Sequence, residues 1–404
     1  MNPVAKINRL LLLLSIVSSC TFLSKDDSTR KILIDNSNIS EKKDILDLID
    51  TIEISSIKEF PGSYIGDPFK IFIKEDRIII FDRIHAKKIN LYDLKGNFIR
   101  NLLKVGDSID APLQINDCWL NFKGELEAYD FSTKHIYQFD SLYNQKRIVR
   151  GDKKYLFMSV IRAIGSKDYV GYTNFDNFNA QYEGNFFHIG FLDSNLALKS
   201  ATFNYDESYR GMLTLSYRVN LFYLNDTIRL VCPNDNSIYN VNDNSTVNTY
   251  VKLEYKENSL PSTQELYGNV LKPDLPILLN TEKAIKKQTE IFSKYAFFDG
   301  IWFESPDWIY LTSRNTNYTS FITMINKKSG YLAFSTQLLY VSGRYDFNLP
   351  AFKYYEPKTN CYYSIFSGDF IYKYQRGHLS RFLVDNNVQD SPTILYVIKC
   401  KFKK

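Results

Sequence analysis

From residue 69 onward, apolar and polar positions alternate in short, strand-length runs separated by polar turns. The first set comprises Phe69–Lys74, Arg77–Phe81, Lys88–Tyr92 and Phe98–Leu103, with Asp93-Leu94-Lys95-Gly96-Asn97 as the turn between the last two. The pattern then returns as Cys118–Phe122, Glu125–Tyr129, His135–Phe139 and Arg147–Arg150, with Asp140-Ser141-Leu142-Tyr143-Asn144 at the same turn. Asp93 and Asp140 are 47 residues apart. Weaker copies place Asp193, Asp243 and Asn326 at that turn, spaced by about fifty residues except before the last.

A unit of four short strands that recurs every 40–50 residues is the mark of a β-propeller, because a lone blade cannot bury both of its faces. Five turns and a remnant in Tyr354–Tyr374 predict an all-β, six-bladed β-propeller. A β-sandwich or solenoid is the alternative, and it accounts less well for the four-strand unit. A ring must also close, and the strand-like segments Asp47–Ser55 and Thr393–Phe402 lie at opposite ends of the chain, available to pair. The domain expectation is therefore a propeller over residues 47–404, interrupted by one insertion at about 257–300, between blades four and five. Within it, Ser262-Thr263-Gln264-Glu265 has capping-box spacing. Asn280-Thr281-Glu282 is positioned to open a second helix carrying Ala284, Ile285, Gln288, Phe292 and Tyr295.

Before the ring the pattern changes. Lys6 and Arg9 precede the apolar run Leu10–Val17 and the small pair Ser18-Ser19, the order of a signal peptide over residues 1–19. The run is too short to span a bilayer as a mature helix. Val17-Ser18-Ser19-Cys20 resembles the lipobox of bacterial lipoproteins, which implies cleavage before Cys20 and lipidation of its thiol. An ordinary secretory signal is the alternative. Ser24-Lys25-Asp26-Asp27 resembles the short signal that sends Bacteroidetes lipoproteins to the outer face of the outer membrane, although a solvated linker has the same composition. Residues 20–46 are then a lipidated tether, and Thr21–Lys43, fully extended, would reach roughly 75–80 Å at ~3.3–3.6 Å per residue. The expected address is the outer membrane, lipid-anchored and facing the medium, with a periplasm-facing protein as the alternative.

Composition narrows the function classes. Losing residues 1–19 lowers the net charge from +5 to +3, and no Lys/Arg cluster would neutralise a row of phosphates, so no nucleic-acid partner is expected. Thirty Tyr and 29 Phe against 4 Met favour strands. Cys118, Cys232, Cys361 and Cys400 lie far apart in apolar runs, which predicts buried single thiols over disulfides. The histidines at 85, 135, 188 and 378 are scattered, so no metal site and no cofactor are expected.

Ile78-Ile79-Ile80-Phe81-Asp82, followed by Ile89-Asn90-Leu91-Tyr92-Asp93-Leu94-Lys95-Gly96-Asn97-Phe98-Ile99-Arg100, resembles the six-bladed β-propeller lipoproteins of Bacteroides and relatives, which are similar in fold to NHL-repeat propellers. The ending Asp390-Ser391-Pro392-Thr393-Ile394-Leu395-Tyr396-Val397 fits the same family. Where that family has a Gly-Pro-Gly-Glu loop, this chain has Val105–Pro112 and keeps only one Gly and one Pro.

With strands A to D running from centre to rim, the B–C loops and the D–A connections share one face. The B–C loops are expected at Asp82–Lys87, Asp130–Lys134, Thr173–Asn185, Pro233–Ser237 and Ser313–Ser320. The third is long and rich in aromatics and amides, with Tyr172, Asn174, Phe175, Asp176, Phe178 and Tyr182. Together with His85, Lys134, His135, Arg314, Asn317 and Tyr318, these are the candidate ligand-binding residues. Arg83, Lys134 and Arg314 suit a carboxylate. The insertion is either a lid beside this face or a plain decoration. No catalytic residue is nominated. The leading function is a surface-exposed binding or scaffold lipoprotein for a glycan, a peptide or a partner protein. The alternative is a propeller enzyme, such as a glycoside hydrolase, polysaccharide lyase or lactonase, with Asp176, Glu183 or Asp235 as its carboxylates.

Overall fold

The computed structural model describes residues 29–37, 45–58, 60–106, 108–151, 158–165, 167–173, 184–209, 220–224, 226–232, 235–272, 277–316, 320–335, 338–342, 345–349, 351–368, 383, 385, 388, 391 and 394–403. Residues 1–28, and with them Cys20 and the segment expected to be a signal peptide, lie outside this set.

The alternating runs fold into six successive antiparallel sheets, and the chain is a six-bladed β-propeller. A first short strand, β1 (Arg30–Ile34), and β2 (Ile49–Ile57) precede the blades. Blade one is β3 (Pro68–Lys74), β4 (Arg77–Asp82), β5 (Lys88–Asp93) and β6 (Phe98–Lys104). Blade two is β7 (Ile115–Leu120), β8 (Leu126–Asp130), β9 (His135–Phe139) and β10 (Gln145–Arg150), and blade three is β11 (Val160–Ile164), β12 (Asp168–Tyr172), β13 (Phe186–Leu192) and β14 (Leu198–Tyr205). Blade four holds β15 (Leu221–Leu224), β16 (Thr227–Val231), β17 (Ser237–Val241) and β18 (Val247–Tyr255). Blade five holds β19 (Phe297–Glu304), β20 (Trp308–Arg314), β21 (Ser320–Asn326) and β22 (Leu332–Ser335), and the hairpin β23 (Leu338–Ser342) with β24 (Tyr345–Leu349) follows it. Blade six is β25 (Tyr354–Glu356), β26 (Cys361–Ser367) and β27 (Leu395–Phe402), completed at its edge by β2 from the start of the chain.

The continuous apolar run of β4 reflects a strand packed on both sides. Ile79 and Phe81 point toward blade two, whereas Ile78 and Ile80 point toward blade six. The same division recurs around the ring, and one apolar cluster fills each of the six seams between neighbouring blades. All four cysteines described are buried single thiols.

Three successive innermost strands are also tied by charge. Lys70 on β3 and Arg162 on β11 both bind the carboxylate of Asp117 on β7, with Arg162 Nη1 2.7 Å from Asp117 Oδ2. Burial by itself would raise the Asp117 pKa, but Arg162 and Lys70 outweigh it and hold the carboxyl below its ordinary value.

Ring closure is the antiparallel pairing of β2 with β27, in register from Thr51 opposite Lys401 to Ile57 opposite Leu395, with a bulge before Thr51 that brings Ile49 opposite Phe402. The predicted segments are the right ones, displaced by two residues at most. Blade one locks onto the closing strand through its C–D turn, where the Lys58 amide donates to the Gly96 carbonyl at 2.9 Å. Gly96 has φ +76°, and a Cβ there would stand 2.0 Å from the Ser56 carbonyl, so the contact requires glycine.

The repeated turn carboxylates work as turn-formers. Asp93, Asp140 and Asp193 each accept from the amides two and four residues further on. In blade four the equivalent residue is Asn242, not Asp243: the Asn242 amide donates to the Thr246 carbonyl and its side chain binds Thr246 Oγ1. The first strand of blade two is likewise Ile115–Leu120 rather than Cys118–Phe122. Asn121 accepts from the Lys123 and Glu125 amides and turns the chain there.

The tether expectation needs a correction. Residues 30–34 form β1, which adds in parallel to the outer edge of blade four, Arg30 opposite Val251 and Ile34 opposite Tyr255. Ile32 and Ile34 are buried while Leu33 faces out, a half-buried alternation that releases apolar surface from water. Just beyond, the Asn36 side chain is buried and hydrogen-bonds both the amide and the carbonyl of Glu257.

The insertion holds two helices between blades four and five. Helix α1 (Thr263–Tyr267) is opened by the Ser262–Glu265 capping box, as its spacing predicts. Helix α2 (Ile277–Lys294) begins earlier than expected, and Asn280, instead of opening it, is buried with its side chain on the Lys272 backbone. Its buried positions include Asn280, Ala284, Gln288 and Ile291, whereas Ile285 is exposed. Ala284 and Ile291 form a small core with Leu266, Tyr267 and Leu271, which Tyr209 from the connection after blade three completes, and Phe292 stacks on Phe297 of β19, so the insertion packs on the propeller as well as on itself.

Replacing Ile398, which is fully buried at the centre of β27, by Ala should cost about 3 kcal/mol of stability. The same change at exposed Ile99 should cost less than about 0.5 kcal/mol. Urea unfolding of the two variants measures the difference, and equal midpoints would show that the closing sheet is not a stability bottleneck.

Candidate functional site

The B–C loops of blades one and two are built on one plan. Phe81-Asp82 and Tyr129-Asp130 end their B strands with a fully buried carboxylate. Asp82 Oδ1 accepts from the Ile84 and His85 amides while Oδ2 accepts from Gly66 and Asp67, residues of the incoming D–A connection. Asp130 does the same with Ser132 and Thr133 on one oxygen and Leu113 on the other. Each carboxylate therefore ties a B–C loop to the neighbouring D–A connection, which puts both on one face. Each loop ends at a left-handed lysine, Lys87 or Lys134, whose carbonyl accepts from the end of its own blade, from Val105 and Gly151 respectively.

The described candidate residues fall at or near this loop face. His85 is exposed, with its Cβ where a side chain on Gly66 would need to be. Lys134 lies flat on its loop, its ammonium 3.5 Å from the Phe131 ring centre. His135 is half-buried, edge-on to Tyr137. Arg314 ends strand β20, where its guanidinium meets Asp299 at 3.1 Å and stands 5.3 Å from the ring of Phe292 on α2. Arg83 completes a third pair, its guanidinium 4.2 Å from the Phe69 ring centre. In three blades, then, a cation is held against an aromatic ring on the same side of the propeller.

Tyr172 is placed differently from the expectation. It ends β12 fully buried in the seam between blades three and four, stacked on His188 at 5.7 Å. Burial raises its phenol pKa well above the usual range and takes its ring away from any ligand. Asn174, Phe175, Asp176, Phe178 and Tyr182 lie outside the described residues, as do Asn317 and Tyr318. Among the carboxylates of the enzyme alternative, Asp176 and Glu183 also fall outside them. Asp235 accepts from the Ser237 amide and the Tyr239 hydroxyl, which commits it to its own loop, and burial raises its pKa.

The opposite face, where the A–B and C–D turns lie, holds a feature that the strand pattern does not announce. A cavity of about 410 Å³ opens between blades two and three, with Glu127, Gln138 and Tyr169 among its lining residues and Lys123, Arg147 and Lys167 at its exposed margin. Its residues come from separate strands and turns of two blades, so sequence spacing carries no trace of it.

A ring of six four-stranded blades closed by strands from both ends defines a six-bladed β-propeller. The chain belongs to the DUF5128 family, described as a 6-bladed beta-propeller, whose model matches residues 23–339. Among curated proteins, none matches it. Solved structures similar to it include a protein of Bacteroides fragilis NCTC 9343 named for an inferred export, with 9% identity, 93% of this chain and 100% of that one covered, and a TM-score of 0.66. A DUF4221 family member from Bacteroides vulgatus ATCC 8482 has 9% identity, coverage of 88% and 97%, and a TM-score of 0.46. A virginiamycin B lyase from Staphylococcus aureus has 12% identity, coverage of 70% and 73%, and a TM-score of 0.36. At such identities the likeness concerns the fold alone. Among the described residues no helix is long and apolar enough to cross a membrane.

His188 supplies a pH test of the blade three–four seam. Enclosed by Tyr172, Phe203 and Tyr205, it has its pKa lowered by burial from 6.5 to about 3. The unfolded chain takes up this proton more readily than the folded one, so stability is lost as the pH falls from about 6.5 toward 3, at about 1.4 kcal/mol per unit. Between pH 7 and 5 the native protein should lose about 2 kcal/mol more than His188→Phe, read by urea unfolding at both pH values.

Proposed function

We propose that this protein is an exported, lipid-anchored binding or scaffold propeller that holds an acidic or hydroxyl-rich ligand, from a glycan, a peptide or a partner protein, on its loop face. The observation that carries this reading is the set of three cation-on-ring pairs, Arg83 with Phe69, Lys134 with Phe131 and Arg314 with Phe292. A guanidinium packed on a ring loses little freedom when it takes up a carboxylate, and the half-buried rings of Phe69, Phe131 and Phe292 offer apolar surface to a sugar or peptide face. The buried carboxylates of Asp82 and Asp130 hold the first two of these loops rigid, which lowers the ordering cost of binding.

Strand β1 limits the reach of the anchor. It runs parallel to β18, from Arg30 opposite Val251 to Ile34 opposite Tyr255, and ends beside Glu257 at the start of a D–A connection. Arg30 lies ten residue steps beyond Cys20, a reach of at most about 36 Å. A lipid on Cys20 would therefore hold the outer edge of blade four within that distance of the membrane.

Two measurements test the reading. Protease shaving of intact cells should remove the protein from the outer face, and cleavage only after lysis would refute the surface address. On a glycan and peptide array, Arg83→Ala and Arg314→Ala should each weaken bound acidic ligands about tenfold, about 1.4 kcal/mol, whereas unchanged binding would move the ligand away from the loop face.

A further inference from the structure

The cavity between blades two and three is built from the inside outward. Asn121 is fixed by its turn: its Oδ1 accepts from the Lys123 and Glu125 amides, which aims its Nδ2 at Glu127 Oε1, 3.1 Å away. Gln138 Nε2 donates to the same oxygen at 3.1 Å and to the Tyr169 hydroxyl at 2.9 Å. The other carboxyl oxygen, Glu127 Oε2, makes no hydrogen bond of good geometry although Glu127 is 3% exposed, and the Trp119 indole N–H acts on the carboxyl without closing a well-formed bond. An unpaired buried acceptor is costly, and structures keep one where a ligand or a proton satisfies it. Burial also pushes the Glu127 carboxyl above its ordinary pKa, toward the neutral form that donates as well as accepts.

The margin has the opposite character. Lys123, Lys146, Arg147 and Lys167 line the cavity against two carboxylates, Glu125 and Glu127. Lys146 faces Glu125 at 4.0 Å. Arg147 and Lys167 have no carboxylate within ion-pair distance among the described residues, and the Lys123 ammonium stands 5.8 Å from the Phe122 ring centre. A polar, hydrogen-bonding floor under unneutralised cations selects an anion that also carries hydroxyl groups, and about 410 Å³ holds one or two sugar rings.

We propose that the cavity between blades two and three is a binding site for a small hydroxylated acid, one or two sugar rings bearing a carboxylate or phosphate, with the anion on Arg147 and Lys167 and the hydroxyls on Glu127, Gln138 and Asn121. The site lies on the turn face and stands independently of the loop-face reading.

The test is calorimetry on the whole mature chain with digalacturonate, glucose 6-phosphate, neutral galactobiose and inorganic phosphate. At least one of the two sugar acids should bind, and galactobiose and inorganic phosphate should bind at least tenfold more weakly than it does. The double variant Arg147→Ala with Lys167→Ala alters only exposed side chains and should lose that binding at least tenfold with an unchanged melting temperature. Glu127→Gln, which mimics the neutral carboxyl, should keep affinity within about threefold. No binding of either acid, equal binding of inorganic phosphate, or binding that survives the double variant would each overturn the proposal.

Discussion

The pairing of β2 with β27 is the constraint on which the rest of the molecule depends. Each blade buries its two faces only against its neighbours, so an open row of six would leave two end faces in water. Closing the ring with strands from both chain ends converts those faces into a seam like the other five. The cost is the entropy of bringing residues 49–57 onto residues 395–402, but loop-closure entropy grows only slowly with chain length. What closure demands is register. Gly96, pressed against the backbone of the closing strand, and the side-chain contacts of Ile57, Leu395 and Val397 with blade one fix that register from the other side of the seam.

Given a closed ring, the two ends of the propeller are free to differ. On the loop end, a buried aspartate in blades one and two joins adjacent loops through several amide hydrogen bonds, and later blades replace it, with Thr173 in blade three and Arg314 in blade five. On the turn end, short Asx-held turns repeat almost unchanged in blades one to three. The inner ion triad of Lys70, Asp117 and Arg162 spans the first three blades only. The chain thus combines a regular half with a half that carries the insertion, the extra strand β1 and the long B–C connection after β26.

Much of this was legible where local chemistry decides local structure. In blade one the predicted strands differ from the observed ones by a single residue at some ends, because turns such as Asp93–Asn97 punctuate apolar runs on both sides. Blade two slipped because Asn121-Phe122-Lys123-Gly124 reads as apolar strand until the side-chain cap on Asn121 is seen. Asp243 and Asn242 could not be told apart, since both residue types form the same turn. Strand β1 escaped notice because Arg30-Lys31-Ile32-Leu33-Ile34 sits in a polar stretch, and its apolar alternation has meaning only beside β18. Tyr172 reads as the start of an aromatic loop but is the last buried residue of a strand, a boundary that only neighbouring blades determine. The cavity between blades two and three was illegible for a deeper reason, since its lining is assembled by packing of separate elements.

These two kinds of site carry different physical burdens. A loop-face site can vary residue by residue, because its loops are held at their roots by buried carboxylates and not by the ligand-facing side chains. The seam cavity has no such freedom: Gln138 and Tyr169 are at once lining residues and part of the packing between blades two and three. Arg147 and Lys167 escape that constraint because they stand at the rim, outside the apolar seam of Trp119, Tyr129 and Ile161. Charge at the rim can therefore change what the cavity accepts without disturbing the seam that forms it, whereas the loss of Gln138, which donates to both Glu127 and Tyr169, alters both at once.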